Sequence, residues 1–240
     1  MAQAGTESTQ EVEARPARIS ARELLRSSGA RGVIFDMDGV LADTEEFHLL
    51  SWQGLLEARF GLETPAGLIR STFGQSNERI LPLLLPPGRI PTGREVESLS
   101  EEKEARYREA ARGRVRPLRG VERLLAWLGR EGIPAAVGTS GPPENIRFLL
   151  EEFGWRSVFR ALVDRSQFAA SKPAPDCFLV AAARLGVPPG RSLVFEDSLH
   201  GLAAARRAGM AAAGIATTYP EEAIRPLSRW TFRDFTEIAC

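Results

Sequence analysis

Short apolar runs ending in polar punctuation recur at residues 31 to 36, 133 to 139, 160 to 164, 191 to 196 and 210 to 217, with stretches of helical spacing between them. Runs of that length suit strands buried on both faces, and their alternation with helices predicts a parallel sheet covered on both sides. The expected fold class is therefore α/β. The pattern breaks once: nearly 100 residues separate the first run from the second, far more than one crossover helix needs. Within that stretch, 47 to 60 and 66 to 85 carry apolar positions at helical spacing, and 94 to 112 reads as a charged helix rich in arginine and glutamate. The PPGRIPTG run at 86 to 93 is a loop by its proline and glycine content. A helical bundle over 47–115 is thus expected as an insert in a core made of 31–46 and 116–240, with Asp43 to Glu46 and Arg116-Pro117 as the two connections.

Residues 1–30 stand outside that plan. Residues 1 to about 17 read as a loose tail, and 19 to 27 as one short helix capped by Ser20, with Ile19, Leu24 and Leu25 as its apolar contacts. The leader mixes glutamate with arginine and has no apolar core, and no run of about 18 apolar residues occurs anywhere. A cytoplasmic protein is expected, with no membrane partner. Thirty-one basic and 31 acidic residues cancel, so no global field gathers nucleic acid or an anionic surface, and no nucleic-acid partner is expected. Cys177 and Cys240 suggest neither a disulfide framework nor a metal quartet. A chain of 240 residues with 43% hydrophobic content can bury a substantial core, and a monomer is expected.

The segment FDMDGVLADTEEFH at 35 to 48 carries the chemistry. Asp36 and Asp38 stand where a buried strand gives way to a glycine turn, the end of a parallel strand at which ligands usually bind. Two residues apart in extended chain, they lie on one side, about 6.5 to 7 Å apart, and can address one phosphate-sized target. A D-x-D pair alone more often makes a turn or helix cap. Here the whole run resembles the first motif of the haloacid dehalogenase superfamily, and three further motifs follow in order: the threonine at Thr139, SKPAPD at 171 to 176, and VFEDS at 194 to 198. The resemblance spans roughly 31 to 217. It implies a Rossmann-like parallel-sheet core whose helical insert is a cap over the active site.

The resemblance assigns Asp36 as the nucleophile that forms an aspartyl-phosphate and Asp38 as the acid-base that protonates the leaving alkoxide, then deprotonates water. It implies Mg2+, held by Asp36, the backbone carbonyl of Asp38 and an acidic residue of VFEDS. Asp197 is the expected direct ligand, with Glu196 binding directly or through water. Lys172 is one of only two lysines in the chain, and the resemblance makes it the ammonium that neutralises aspartate and phosphate. Thr139 would bond a phosphate oxygen, with Ser140 at the opening of the next helix and Asn145 as a further polar contact.

Substrate contacts are expected from the start of the insert and from the cap. In the β-phosphoglucomutase-like branch, a histidine matching His48 senses substrate and helps align the acid-base, and Glu45 or Glu46 just before it could bind sugar hydroxyls. Gly74 matches a cap-loop glycine of that branch. Lys103, followed by an aromatic four residues later, resembles the cap's substrate-facing helix, while a helix-face salt bridge to a neighbour such as Glu102 is the competing reading. The cap loop departs from the branch: Asn77 stands where an arginine would grip a second phosphate, and Phe73 where a cation precedes the glycine. The expectation is a magnesium-dependent phosphatase acting on a small phosphorylated metabolite, a sugar phosphate or sugar bisphosphate. A β-phosphoglucomutase-like phosphomutase is the alternative, and a catalytically silent binding protein the remote one.

Overall fold

The computed structural model describes residues 19–240, so the tail expected over residues 1 to 17 lies outside the described residues. β1 (Ile19–Ser20) leads into α1 (Ala21–Ser28) and β2 (Gly32–Phe35). The two-residue β3 (Ala42–Asp43) then opens a helical stretch of α2 (Glu45–Phe60), α3 (Ala66–Arg70), α4 (Asn77–Leu84) and α5 (Gly93–Ala111). The chain returns through β4 (Arg116–Pro117) and alternates α6 (Val121–Arg130), β5 (Ala135–Gly138), α7 (Pro143–Glu152), β6 (Ala161–Val163), α8 (Asp176–Leu185), β7 (Ser192–Glu196), α9 (Leu199–Arg207) and β8 (Ala211–Ile215). A short α10 (Glu221–Ile224) precedes β9 (Trp230–Phe232) and β10 (Ile238–Ala239).

Six strands form one parallel sheet in the order β6-β5-β2-β7-β8-β9. Every residue of β2, β5 and β7 is buried, because adjacent side chains point to opposite faces and both faces are covered by helices. Ile34 and Val194 pack on one side with Phe178, Ala181 and Leu202 of α8 and α9. Phe35 and Phe195 pack on the other with α6 and α7. The helical stretch has its own apolar core of Trp52, Leu55, Leu56, Ile69, Leu81 and Leu99. Its two connections run side by side, since β3 pairs antiparallel with β4 through Ala42 opposite Pro117 and Asp43 opposite Arg116.

The expected Ser20 cap is formed, its hydroxyl accepting from the Glu23 N–H at 3.1 Å, and Leu24 is buried. β1 also pairs with β10, so this segment clips the two ends of the described chain together. Two expectations about elements are corrected. The single helical stretch over 66 to 85 is two helices, parted by turns at 71 to 76 where Gly74 takes φ 85°. The sheet has a sixth strand, β9, that the apolar pattern does not reveal, because its three residues are bounded by Arg229 and Arg233.

Phe235, fully buried, packs against Phe195 at 5.0 Å and Phe35 at 6.1 Å between ring centroids. It thereby supports the two strands whose ends carry the site described next. Phe235→Ala is expected to destabilise the protein by about 3–5 kcal/mol, read as a lower urea midpoint at unchanged slope; a midpoint within error of wild type would reject this support.

Candidate active site

Register builds the reaction centre. Phe35 of β2 lies opposite Phe195 of β7, and the Asp36 N–H donates to the Phe195 carbonyl at 2.9 Å, so Asp36 emerges beside Glu196 and Asp197. The chain then turns at Gly39, whose φ of 72° favours glycine and where an added Cβ would collide with the Asp197 carboxylate. Thr139 follows β5 and is held by its N–H bond to Val163, while its hydroxyl accepts from the Gly141 N–H at 2.9 Å. Lys172, 1% exposed, reaches in ahead of α8 and donates to Asp36 Oδ1 at 2.5 Å and Glu196 Oε2 at 2.7 Å.

Crowding of carboxylates sets the electrostatics. Burial, then the charge of Glu196, pushes the Asp36 carboxyl up to about 8, against the pull of Lys172. Asp197 is raised well above its ordinary value by burial and by Glu196 and Asp36. Burial alone would lower Lys172, but Asp36 and Glu196 hold it above the ordinary lysine range. One ammonium among three buried carboxylates leaves an acidic site that a hard divalent cation would complete. Oxygens of Asp36, Glu196 and Asp197 lie within 4.8 Å of one another, which fits such an ion. The three differ in what remains for it. Glu196 is fully buried, with Oε2 bound by Lys172 and Oε1 by the Ser198 N–H and hydroxyl. Hydrogen bonds to Asp36 fall on Oδ1 and those to Asp197, from Thr217 and Thr218, on Oδ2, leaving Oδ2 of Asp36 and Oδ1 of Asp197 for a cation.

The helical stretch supplies the opposite wall. His48 Nε2 meets Asp38 Oδ1 at 2.9 Å, and its Nδ1 meets Lys103 Nζ at 2.7 Å. An ammonium has only donors, so Nδ1 accepts and Nε2–H donates to Asp38. The imidazole stacks on Tyr107 at 4.0 Å with 4° between planes. Burial works most strongly to raise Asp38, but His48, Thr44 and Lys103 together outweigh it and hold the carboxyl below its ordinary value. Lys103, 3% exposed, also donates to Glu104 Oε1 at 2.9 Å. The solvated salt bridge to Glu102 is not formed; Glu102 pairs with Arg59 and Arg106. Glu104 further accepts from Asn77 Nδ2 at 2.8 Å and Asn145 Nδ2 at 2.7 Å.

One cavity of about 80 Å3 gathers these groups. Asp36, Asp38, Thr139, Lys172 and Asp197 line it from the sheet side with Ser140 and Asn145, and Glu45, His48, Gly74 and Lys103 line it from the helical side. Glu196 lies beneath it, outside the lining. Glu45 is also bonded by Arg70 at 2.5 Å, and the Ser140 hydroxyl makes a long 3.4 Å bond to the Gly74 carbonyl. The sequence reading missed Trp52, Glu104 and Thr218, which also line the cavity. Glu104 left a faint trace, because Leu99, Lys103, Tyr107 and Ala111 form a helical stripe and a buried stripe carrying charge marks a site.

A family model for haloacid dehalogenase-like hydrolases matches residues 30–209. The chain belongs to that family. It is an enzyme of the haloacid dehalogenase type, with phosphatases among its relatives. It is 35% identical over 184 residues to the fructose-1-phosphate phosphatase YqaB of Escherichia coli, covering 77% of this chain and 95% of that one. It is 33% identical to the β-phosphoglucomutase of Bacillus subtilis, covering 79% and 85%. Among solved structures, a mutant CbbY of Rhodobacter sphaeroides in complex with xylulose-(1,5)bisphosphate superposes with a TM-score of 0.77 at 26% identity, covering 87% and 96%.

The raised carboxyl of Asp36 has a measurable sign. With a folded value of about 8 against an ordinary 3.8, the unfolded chain holds fewer protons than the folded one between those values, so stability falls as pH rises through that window. The metal-free enzyme is expected to melt lower at pH ~8 than at pH ~5. Mg2+ at 100 times its Kd would add about 2.7 kcal/mol, or roughly 5–10 °C in Tm for a chain of this size. Asp197→Asn should remove the magnesium response; a wild-type Tm indifferent to Mg2+ at pH ~8 would reject the cation site.

Proposed function

We propose that this enzyme is a magnesium-dependent phosphatase that hydrolyses a small phosphorylated metabolite, a sugar or polyol phosphate, through an aspartyl-phosphate on Asp36. The observation that carries the reading is the pairing of Asp36, pinned through one oxygen by Lys172, with Asp38, held through one oxygen by His48, in a single cavity. The phosphatases among the relatives support it.

A carboxylate oxygen of Asp36 attacks phosphorus as the ester P–O bond breaks, while Lys172 neutralises the carboxylate. Asp38 protonates the departing alkoxide. It then takes a proton from the water whose oxygen attacks the same phosphorus, and Asp36 and inorganic phosphate are released. In the free enzyme Asp38 is held low and charged. An arriving phosphate dianion raises its proton affinity, and the Lys103–His48 chain can supply the proton through Nε2 while Nδ1 takes one from Lys103. Thr139 and the N–H groups opening α7 would face the phosphate oxygens. A magnesium ion held by Asp36 and Asp197 would offset the negative charge of nucleophile and phosphate. Glu196 would act by fixing Lys172, not as a direct ligand.

Residues 47–115 are read as a cap on a core of 31–46 and 116–240. Its separate apolar core and the paired β3 and β4 connections support this. A cavity of about 80 Å3 is far below the ~300–1,000 Å3 of typical ligand pockets, so substrate would enter by movement of the cap about β3 and β4, and closure would exclude bulk water.

The Lys103–His48–Asp38 chain also suits a phosphomutase, in which a sugar hydroxyl replaces water as the acceptor, and a β-phosphoglucomutase is among the relatives. Phosphorus NMR on sugar phosphates with Mg2+ separates the two: accumulating inorganic phosphate supports hydrolysis, isomerised sugar phosphate without it the mutase. Asp36→Asn is expected to abolish phosphate release. Asp38→Asn should slow it by about 10²–10⁴, and near-normal turnover by either variant would reject its assignment.

A further inference from the structure

Resting on the phosphatase reading, we infer that Glu104 makes the site selective for monophosphates whose far end is neutral, and turns away substrates carrying a second phosphate. The charges lining the cavity argue it. Lys172 and Lys103 are the only lysines or arginines among the described residues that line it. Lys172 is committed to Asp36 and Glu196. Lys103 spends its ammonium on Glu104, His48 and the face of Trp52, 5.4 Å from the ring centroid.

Glu104 therefore stands on the wall facing the reaction centre as a carboxylate, 6% exposed, with its partner cation already used. Its remaining bonds come from the neutral amides of Asn77 and Asn145. Burial is the largest influence and works to raise its carboxyl, but Lys103, His48 and the amides of Asn145 and Asn77 together hold it below its ordinary value and so charged at neutral pH. A second phosphate brought here would meet a buried like charge and, among the described residues lining the cavity, no uncommitted lysine or arginine, an arrangement that disfavours both ions in a low dielectric. Glu45, at the same cavity, repeats the exclusion, since Arg70 is already bound to it.

The lining suits the opposite kind of group. Carboxylates and amides can bond sugar or polyol hydroxyls, and Trp52 and Phe73 offer apolar faces to C–H surfaces. The bisphosphate of the CbbY complex is therefore not the substrate type expected here.

The test compares initial rates of phosphate release from matched pairs, fructose 1-phosphate against fructose 1,6-bisphosphate and ribose 5-phosphate against ribose 1,5-bisphosphate, with Mg2+ present. Wild type is expected to favour the monophosphate in kcat/KM by about tenfold or more, the discrimination that about 1.4 kcal/mol of unpaired repulsion provides. Glu104→Gln should shrink that ratio at least threefold, by raising the bisphosphate rate relative to the monophosphate rate, while Glu104→Asp, which keeps the charge, should preserve it. A wild-type ratio near one overturns the inference and leaves the phosphatase reading intact, whatever the variants do. A ratio unchanged in Glu104→Gln, or lost equally in Glu104→Asp, removes the charge of Glu104 as its cause. Phosphate release from no member of either pair would overturn both readings.

Discussion

A single buried ammonium decides how this protein is put together. Lys172 sits among Asp36, Glu196 and Asp197, none of which is more than 7% exposed. Charges buried that deeply are tolerated only when paired and hydrogen-bonded. The pairing depends on register: a one-residue slip between β2 and β7 would turn Asp36 to the other face of the sheet and leave Lys172 without its nearer carboxylate. The stacked rings of Phe35 and Phe195, 5.2 Å apart, and Phe235 beneath them hold that register from the apolar side. Electrostatics above the strand ends and packing below them thus specify the same alignment. One lysine against three carboxylates still leaves negative charge uncompensated, and the raised protons of Asp36 and Asp197 express that deficit.

The second lysine repeats the device across the cavity. Lys103 lies between His48 and the buried carboxylate of Glu104, as Lys172 lies between Asp36 and Glu196. In both places the ammonium meets a cavity-lining side chain on one side, Asp36 or His48, and a further buried carboxylate on the other. A compact ammonium with three donors fits such a point. The planar fork of arginine, which supplies nearly all the remaining positive charge of the chain, is shaped for flat bidentate partners and forms the exposed pairs instead, such as those of Arg59 and Arg106 with Glu102.

The sequence made the sheet side of the site legible because its signals are local. Asp36 and Asp38 follow a buried run, Thr139 ends another and Asp197 a third, and each strand end declares itself by the change from apolar to polar. The scarcity of lysine pointed to Lys172 and Lys103 before any contact was visible. Glu104 was harder, because its meaning lies in partners at Asn77 and Asn145, one on another helix of the insert and the other across the cavity. In the run EEKEAR only its place beside the stripe of Leu99, Lys103, Tyr107 and Ala111 sets it apart from the exposed Glu101. The sixth strand was hidden for a related reason: three residues between arginines carry no periodicity, and only the already formed edge of β8 makes them a strand.

How the two halves touch shows what kind of motion the fold permits. The base of the insert is fixed by apolar contact, with Phe47, Tyr107 and Ala111 belonging to the same core as the sheet. Its far side meets the sheet side through polar bonds: Glu104 with Asn145, Ser140 with Gly74, Ser76 with Ser171 and Arg79 with the Lys172 carbonyl. Water can replace hydrogen bonds of that sort at a net cost of about 0.5–1.5 kcal/mol each, whereas separating an apolar core has no such substitute. On the reading of residues 47–115 as a cap, opening would be inexpensive where substrate must enter and costly at the root, which is the arrangement a hinge requires. In the structure His48 meets Asp38 and Glu104 meets Asn145 across the same cavity. On the proposed function, proton supply and substrate discrimination would thus be assembled together, where bulk water is excluded.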